Sequence, residues 1–147
     1  MLSLFRKGII KELDLKRKGL KVHYREMSSL TPTTDKGKYL MLYRDQQKTL
    51  AEIAKFSKHD AEQWPKYEKY LSEFCKFWDQ NLDDIPYNYL QQPSLKDKID
   101  FAKRSYQPGM DYFDFGRFVT CSVSEMLDNW FESDIVKATL ATDGIIG

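Results

Sequence analysis

Few side chains in this chain are suited to chemistry, and their spacing argues against most of the chemistry they could do. The two histidines, His23 and His59, lie far apart with no H-E-x-x-H between them, so they make no metal set. His23 falls on the charged side of an alternating stretch and His59 in the first turn of a helix, where solvation or capping is the expected role. Cys75 lies on the apolar face of a helical run and is expected to be a small buried hydrophobe, while Cys121 adjoins a helix break and has no assigned role. Neither belongs to a C-x-x-C or a disulfide framework, which suits a reducing compartment. Asp83-Asp84 supplies the group type of general acid–base work, but adjacent carboxylates in a loop diverge into solvent. Lys66, Tyr67, Lys69 and Tyr70 interleave basic and aromatic side chains as single-strand nucleic-acid binders do. Glu68 interrupts that set, and a solvated helix face is the stronger reading. No G-x-G-x-x-G opens a helix and no G-x-x-x-x-G-K-[ST] occurs, so these residues hold no dinucleotide or triphosphate cradle.

The elements that must position these groups follow from periodicity. At 147 residues and a net charge of +1, the chain is one domain's worth, with no bulk field drawing it to nucleic acid or an anionic membrane. Its longest apolar runs are too short to span a bilayer. Aromatic residues make up 14% of the chain, which fits either a bulky core or the walls of a large apolar ligand cavity. Leu2, Phe5, Ile9, Ile10 and Leu13 make a helical stripe among basic residues, predicting a helix over 5–18. Glu12, Asp14 and the capping Gly19 favour an internal helix over a transit peptide. Leu20, Val22 and Tyr24 then alternate with charged residues, and after the Asp35-Lys36-Gly37 turn Tyr39 to Tyr43 reads as the returning strand. The expected hairpin over 20–43 would leave Leu40 and Leu42 bare, so it is expected to join a sheet completed by strands from outside.

The remainder, 45–143, reads as helical. Asp45 precedes a helix over 46–56, and Ser57 with Asp60 has capping-box spacing before the apolar face of Ala61, Trp64, Tyr67, Leu71, Phe74, Cys75 and Trp78. Pro65 predicts a kink or a first turn out of line. Residues 81–92 read as a loop, Ser94 and Asp97 start a short helix, and Pro108-Gly109 breaks it. The helical stripe resumes from Met110 to Val119. Ser122 and Glu125 form the best capping box, predicting a helix over 123–131, and Ser133 marks another start. The run ends at Gly144-Ile145-Ile146-Gly147, an apolar end that needs a covering partner. The expectation is an α+β chain, mostly helical with one hairpin, forming a single partial domain of a larger protein.

Asn129-Trp130-Phe131-Glu132-Ser133, followed by 137–143 and Ile146-Gly147, resembles a run in the phytoene-desaturase-like FAD-dependent oxidoreductases, nearest to their pyridine nucleotide-disulfide oxidoreductase domain-containing branch. Leu13-Asp14-Leu15-Lys16 with Gly19-Leu20, then Leu30-Thr31-Pro32 and Pro65-Lys66-Tyr67-Glu68, are similar to it in the same order. The resemblance implies the substrate-side portion of a two-domain FAD/NAD(P)-binding fold of the amine oxidase type. A hairpin would feed a shared sheet, and helices would roof an apolar cavity over the flavin. FAD would be held by a Rossmann portion outside this chain, so no cofactor, catalytic or metal residue carries over. Tyr112, Phe115 and Trp130 are the candidate cavity walls, with core packing the commoner role of such rings on helical stripes, and the substrate would be a small hydrophobic or amine-like compound. The implied compartment is the mitochondrion in a eukaryote and the cytoplasm in a bacterium. The alternative from the residues alone is a helical interaction module without catalytic activity.

Overall fold

A computed structural model describes residues 5–82, 94–106 and 108–146, apart from the side chains of residues 80, 81, 104, 143 and 146. Helix α1 (Lys7–Glu12) is shorter than its apolar stripe suggests. Asp14 takes a φ of 50°, its N–H reaches the Lys11 carbonyl (3.1 Å), and Leu15 N–H reaches that of Ile10 (3.0 Å). This left-handed closure satisfies the last helical carbonyls, and Gly19 (φ 96°) repeats it through Leu20 N–H to Leu15 (2.9 Å). The expected helix over 5–18 is therefore two closures in series. Arg6 anchors this segment to Asp79 (3.1 Å).

The strand expected from Leu20 lies further along, as β1 (Met27–Pro32), antiparallel to β2 (Tyr39–Tyr43). Strand β2 offers a single five-residue ladder on this side, and Leu30, Thr31 and Pro32 take it opposite Met41, Leu40 and Tyr39. Residues 20–25 form no strand, and Tyr24 lies under the Arg44 guanidinium (4.6 Å to the ring centre). Leu40 and Leu42 are 0% and 8% exposed, so the expectation that strands from outside must cover them is corrected. The covering is internal. Ile53 of α2 (Gln46–Ile53), Trp64 and Tyr67 of α3 (Lys58–Asn81), and Leu127, Phe131 and Val136 close over the pair as one core. The opposite face of the hairpin leaves Met27, Leu30 and Tyr39 exposed.

Helix α3 is the spine. Ser57 caps it by accepting Asp60 N–H (3.0 Å), and the helix continues through Pro65, whose missing N–H leaves the Ala61 carbonyl without its helical donor. Trp64, Tyr67 and Phe74 share its buried face. Cys75, expected there, is exposed, because one residue beyond Phe74 turns the side chain about 100° away from the cover. The loop expected over 81–92, with Asp83-Asp84, lies almost wholly outside the described residues. Helix α4 (Leu95–Ser105) starts from a complete Ser94–Asp97 capping box, and α5 (Tyr112–Thr120) from Asp111, after Gly109 turns the chain at φ 82°. Helix α6 (Val123–Asp128) stops short of the expected Phe131, and only half of its capping box forms, Ser122 Oγ accepting Glu125 N–H (3.1 Å). Helix α7 (Asp134–Ile146) crosses α6 at Gly144, where a Cβ would fall 3.0 Å from Val123 Cβ.

Candidate functional site

Three helical edges converge on a cleft of about 490 Å³. Helix α3 contributes His59, Gln63 and Tyr70, α5 contributes Asp114, Arg117 and Phe118 with Cys121 just beyond it, and the α6 region contributes Met126, Asn129 and Trp130. The spacings of three, four and seven residues put each set on one helix face. Large rings hold the walls apart. Tyr70 meets Trp130 at 5.2 Å and Phe118 at 6.0 Å, and Phe118 stacks on Phe74 at 4.5 Å. The lining is thus an aromatic floor under a rim of histidine, amides and one charge of each sign, suited to a molecule with a flat apolar body and polar edges.

Tyr70 is the electrostatically distinctive group. Burial foremost, then the charge and hydrogen bond of Asp114, push its hydroxyl up to about 12, with Arg117 pulling the other way. It is a neutral donor to Asp114 rather than a nucleophile. A raised value means the neutral form is favoured on folding, so this contribution is complete below about pH 10 and lost as pH rises through about 12. An alkaline absorbance titration of the nine tyrosines should lose a transition near 12 in Tyr70→Phe. Loss of a transition near the ordinary value of 10.0 would contradict the assignment.

Beside the cleft, Asp60 is fully buried and accepts two backbone N–H groups at the start of α7, Glu132 to Oδ1 (2.9 Å) and Ser133 to Oδ2 (3.0 Å). Ser57 Oγ donates to Glu132 Oε1 (2.7 Å), and His59 Nδ1 lies 3.3 Å from Asp60 Oδ1. One carboxylate thereby serves the positive ends of two helices. His59, Asp60 and Glu132 bring ligand atoms within 4.8 Å of one another, a donor set of metal-binding type. Both Asp60 oxygens are committed to the backbone, so the cluster works as a helix clamp.

Of the residues expected to wall a cavity, Trp130 lines this cleft, whereas Tyr112 and Phe115 are not part of its lining. Phe115 packs one turn away against Phe74, Phe77 and Trp78, and the Tyr112 hydroxyl donates to the Ser105 carbonyl (2.9 Å). In the sequence Asp114 and Arg117 carry no assigned role, and Tyr70 and Asn129 fall in other contexts, although the spacing of Asp114, Arg117, Phe118 and Cys121 puts them on one helix face. His23 is exposed in the irregular stretch before β1.

The strand-to-helix junction from β2 to α2 places Asp45 at the N-cap, where its carboxylate accepts Lys48 N–H (3.1 Å) and would repel a phosphate.

No protein-family model and no solved structure matches the chain. Among curated proteins, the rat protein named "Pyridine nucleotide-disulfide oxidoreductase domain-containing protein 2" is 34% identical over 162 aligned positions, covering 100% of this chain and 28% of its own length. Its mouse counterpart of the same name is 33% identical over the same shares. The chain spans little more than a quarter of the length of these relatives, and it is similar along its whole extent to one region of an oxidoreductase-domain-containing protein.

Proposed function

We propose that this chain is the substrate-side region of an FAD-dependent oxidoreductase of the phytoene-desaturase-like kind. The observation that carries the reading is the likeness of the entire chain, end to end, to relatives named for an oxidoreductase domain. In this reading the flavin performs the redox chemistry and is held by a nucleotide-binding portion of the same polypeptide, since neither glycine-rich phosphate motif occurs in this sequence. The cleft between α3, α5 and α6 supplies an aromatic wall with Trp130 and a polar rim with Asp114, Arg117 and Asn129, to orient a small, largely apolar or amine-bearing substrate and exclude water. The exposed side of the hairpin, with Met27, Leu30 and Tyr39, is the face on which the nucleotide-binding portion would close.

The test is to produce a longer polypeptide that includes the flanking regions aligned with the relatives. It is expected to purify with flavin absorbance, and the 147-residue chain alone is expected to bind no added FAD. A longer polypeptide that is folded and free of flavin would overturn the proposal in favour of a helical binding module.

A further inference from the structure

We propose that α4 docks on an anionic bilayer surface, lying in the plane of the headgroups. At about 100° per residue, Leu95, Ile99, Ala102 and the capping Tyr106 fall on one stripe, Lys98 borders it on one side and Lys96 and Lys103 on the other. Asp97, Asp100 and Arg104 fall on the opposite side, with Phe101 next to Asp97 and 40% exposed. A helix packed on its own core turns such a stripe inward, and α4 does the reverse. Leu95 is 74% exposed, Ile99 45% and Tyr106 67%, while Asp100 and Ser105 are half-buried toward the protein. The Tyr112 hydroxyl on the Ser105 carbonyl ties the first turn of α5 to the end of α4, and the neighbouring Phe113 is 87% exposed.

The borders of the stripe identify what covers it. Asp97 is tied to Ser94 by its capping box, whereas Lys98 and Lys103 have no ion-pair partner among the described residues. Lysines along both edges of an apolar stripe match a flat, negatively charged surface, since their stems lie along the apolar layer and the ammonium groups reach phosphate. The whole chain is nearly neutral at +1, so the attraction is local to this face. No helix among the described residues is long and apolar enough to cross a membrane, which fits lying on the surface. This inference stands on α4 and α5 alone and does not require a flavin.

The test is flotation of the 147-residue chain with vesicles of mixed phosphatidylcholine and phosphatidylglycerol, against vesicles of phosphatidylcholine alone. Binding is expected to the anionic vesicles and to weaken with added salt. Lys98→Glu with Lys103→Glu should weaken it roughly fivefold or more per lysine. Leu95→Asp with Ile99→Asp should weaken it roughly tenfold or more. Because all four side chains are exposed, far-ultraviolet circular dichroism and the melting temperature should not change. Absent flotation, flotation indifferent to both double variants, or equal binding to neutral vesicles would overturn the proposal. So would self-association abolished by Leu95→Asp with Ile99→Asp in a chain that ignores vesicles, which would mark the stripe as a contact between copies.

Discussion

Asp60→Ala is expected to destabilise the chain by about 3–5 kcal/mol in urea denaturation followed by tryptophan fluorescence. The side chain is fully buried and is the acceptor for Glu132 and Ser133 N–H, so its removal strands two donors where α7 begins. An unsatisfied buried donor costs about 1–3 kcal/mol, and loss of the charge at two helix starts adds to it. For a domain whose whole stability is about 5–15 kcal/mol, that is a large part of the total. Asp60→Asn keeps one carbonyl oxygen and should lose about half as much. A divalent-metal chelator should leave the wild-type midpoint unchanged, since the clamp is made by backbone N–H groups on the Asp60 carboxylate. A loss below about 1 kcal/mol in Asp60→Ala, within the ordinary range of surface changes, would contradict the clamp.

Phe131→Ala should have a comparable effect, about 3–5 kcal/mol by the same measurement. The ring lies at the junction of the hairpin, α3 and α7, 5.0 Å from Tyr67 and 6.1 Å from Trp64 between ring centres, and is almost wholly buried. It stands in a connection rather than in a helix, so backbone propensity contributes little and the loss reports the cavity. Phe131→Leu keeps most of the volume and should cost less than about 1.5 kcal/mol. If both variants cost the same small amount, the aromatic cluster is not what joins the two halves of the core.

These two residues also show how far the sequence could be read. The caps were legible because they are local. Ser57, Ser94 and Ser122 each accept the N–H three residues on, as their spacing requires. The second role of Asp60 was not legible, because its partners lie 72 and 73 residues away and nothing near Asp60 signals them. The first strand was displaced for a related reason. Alternation marks Leu20 to Tyr24 as able to be a strand, but pairing decides, and β2 is taken by Met27–Pro32. Leu40 and Leu42 were expected to need outside cover because the sequence does not show α2, α3 and α7 folding back over them. At the cleft, Trp130 stood out as a large ring, whereas Tyr70 and Asp114 become a pair only once α5 lies across α3. The reversed orientation of α4 is a further tertiary fact, since its stripe reads in sequence like that of any buried helix.

The central claim, that this region frames a substrate and does not hold the nucleotide, is tested most directly by the flavin-to-protein ratio of the longer polypeptide across cleft variants. Tyr70→Phe, Arg117→Ala and Trp130→Ala all alter the lining of the cleft. The ratio is expected to remain at the wild-type value in all three, because the cofactor is held outside these residues. A ratio that falls in step with these substitutions would place the flavin in the cleft and contradict the account.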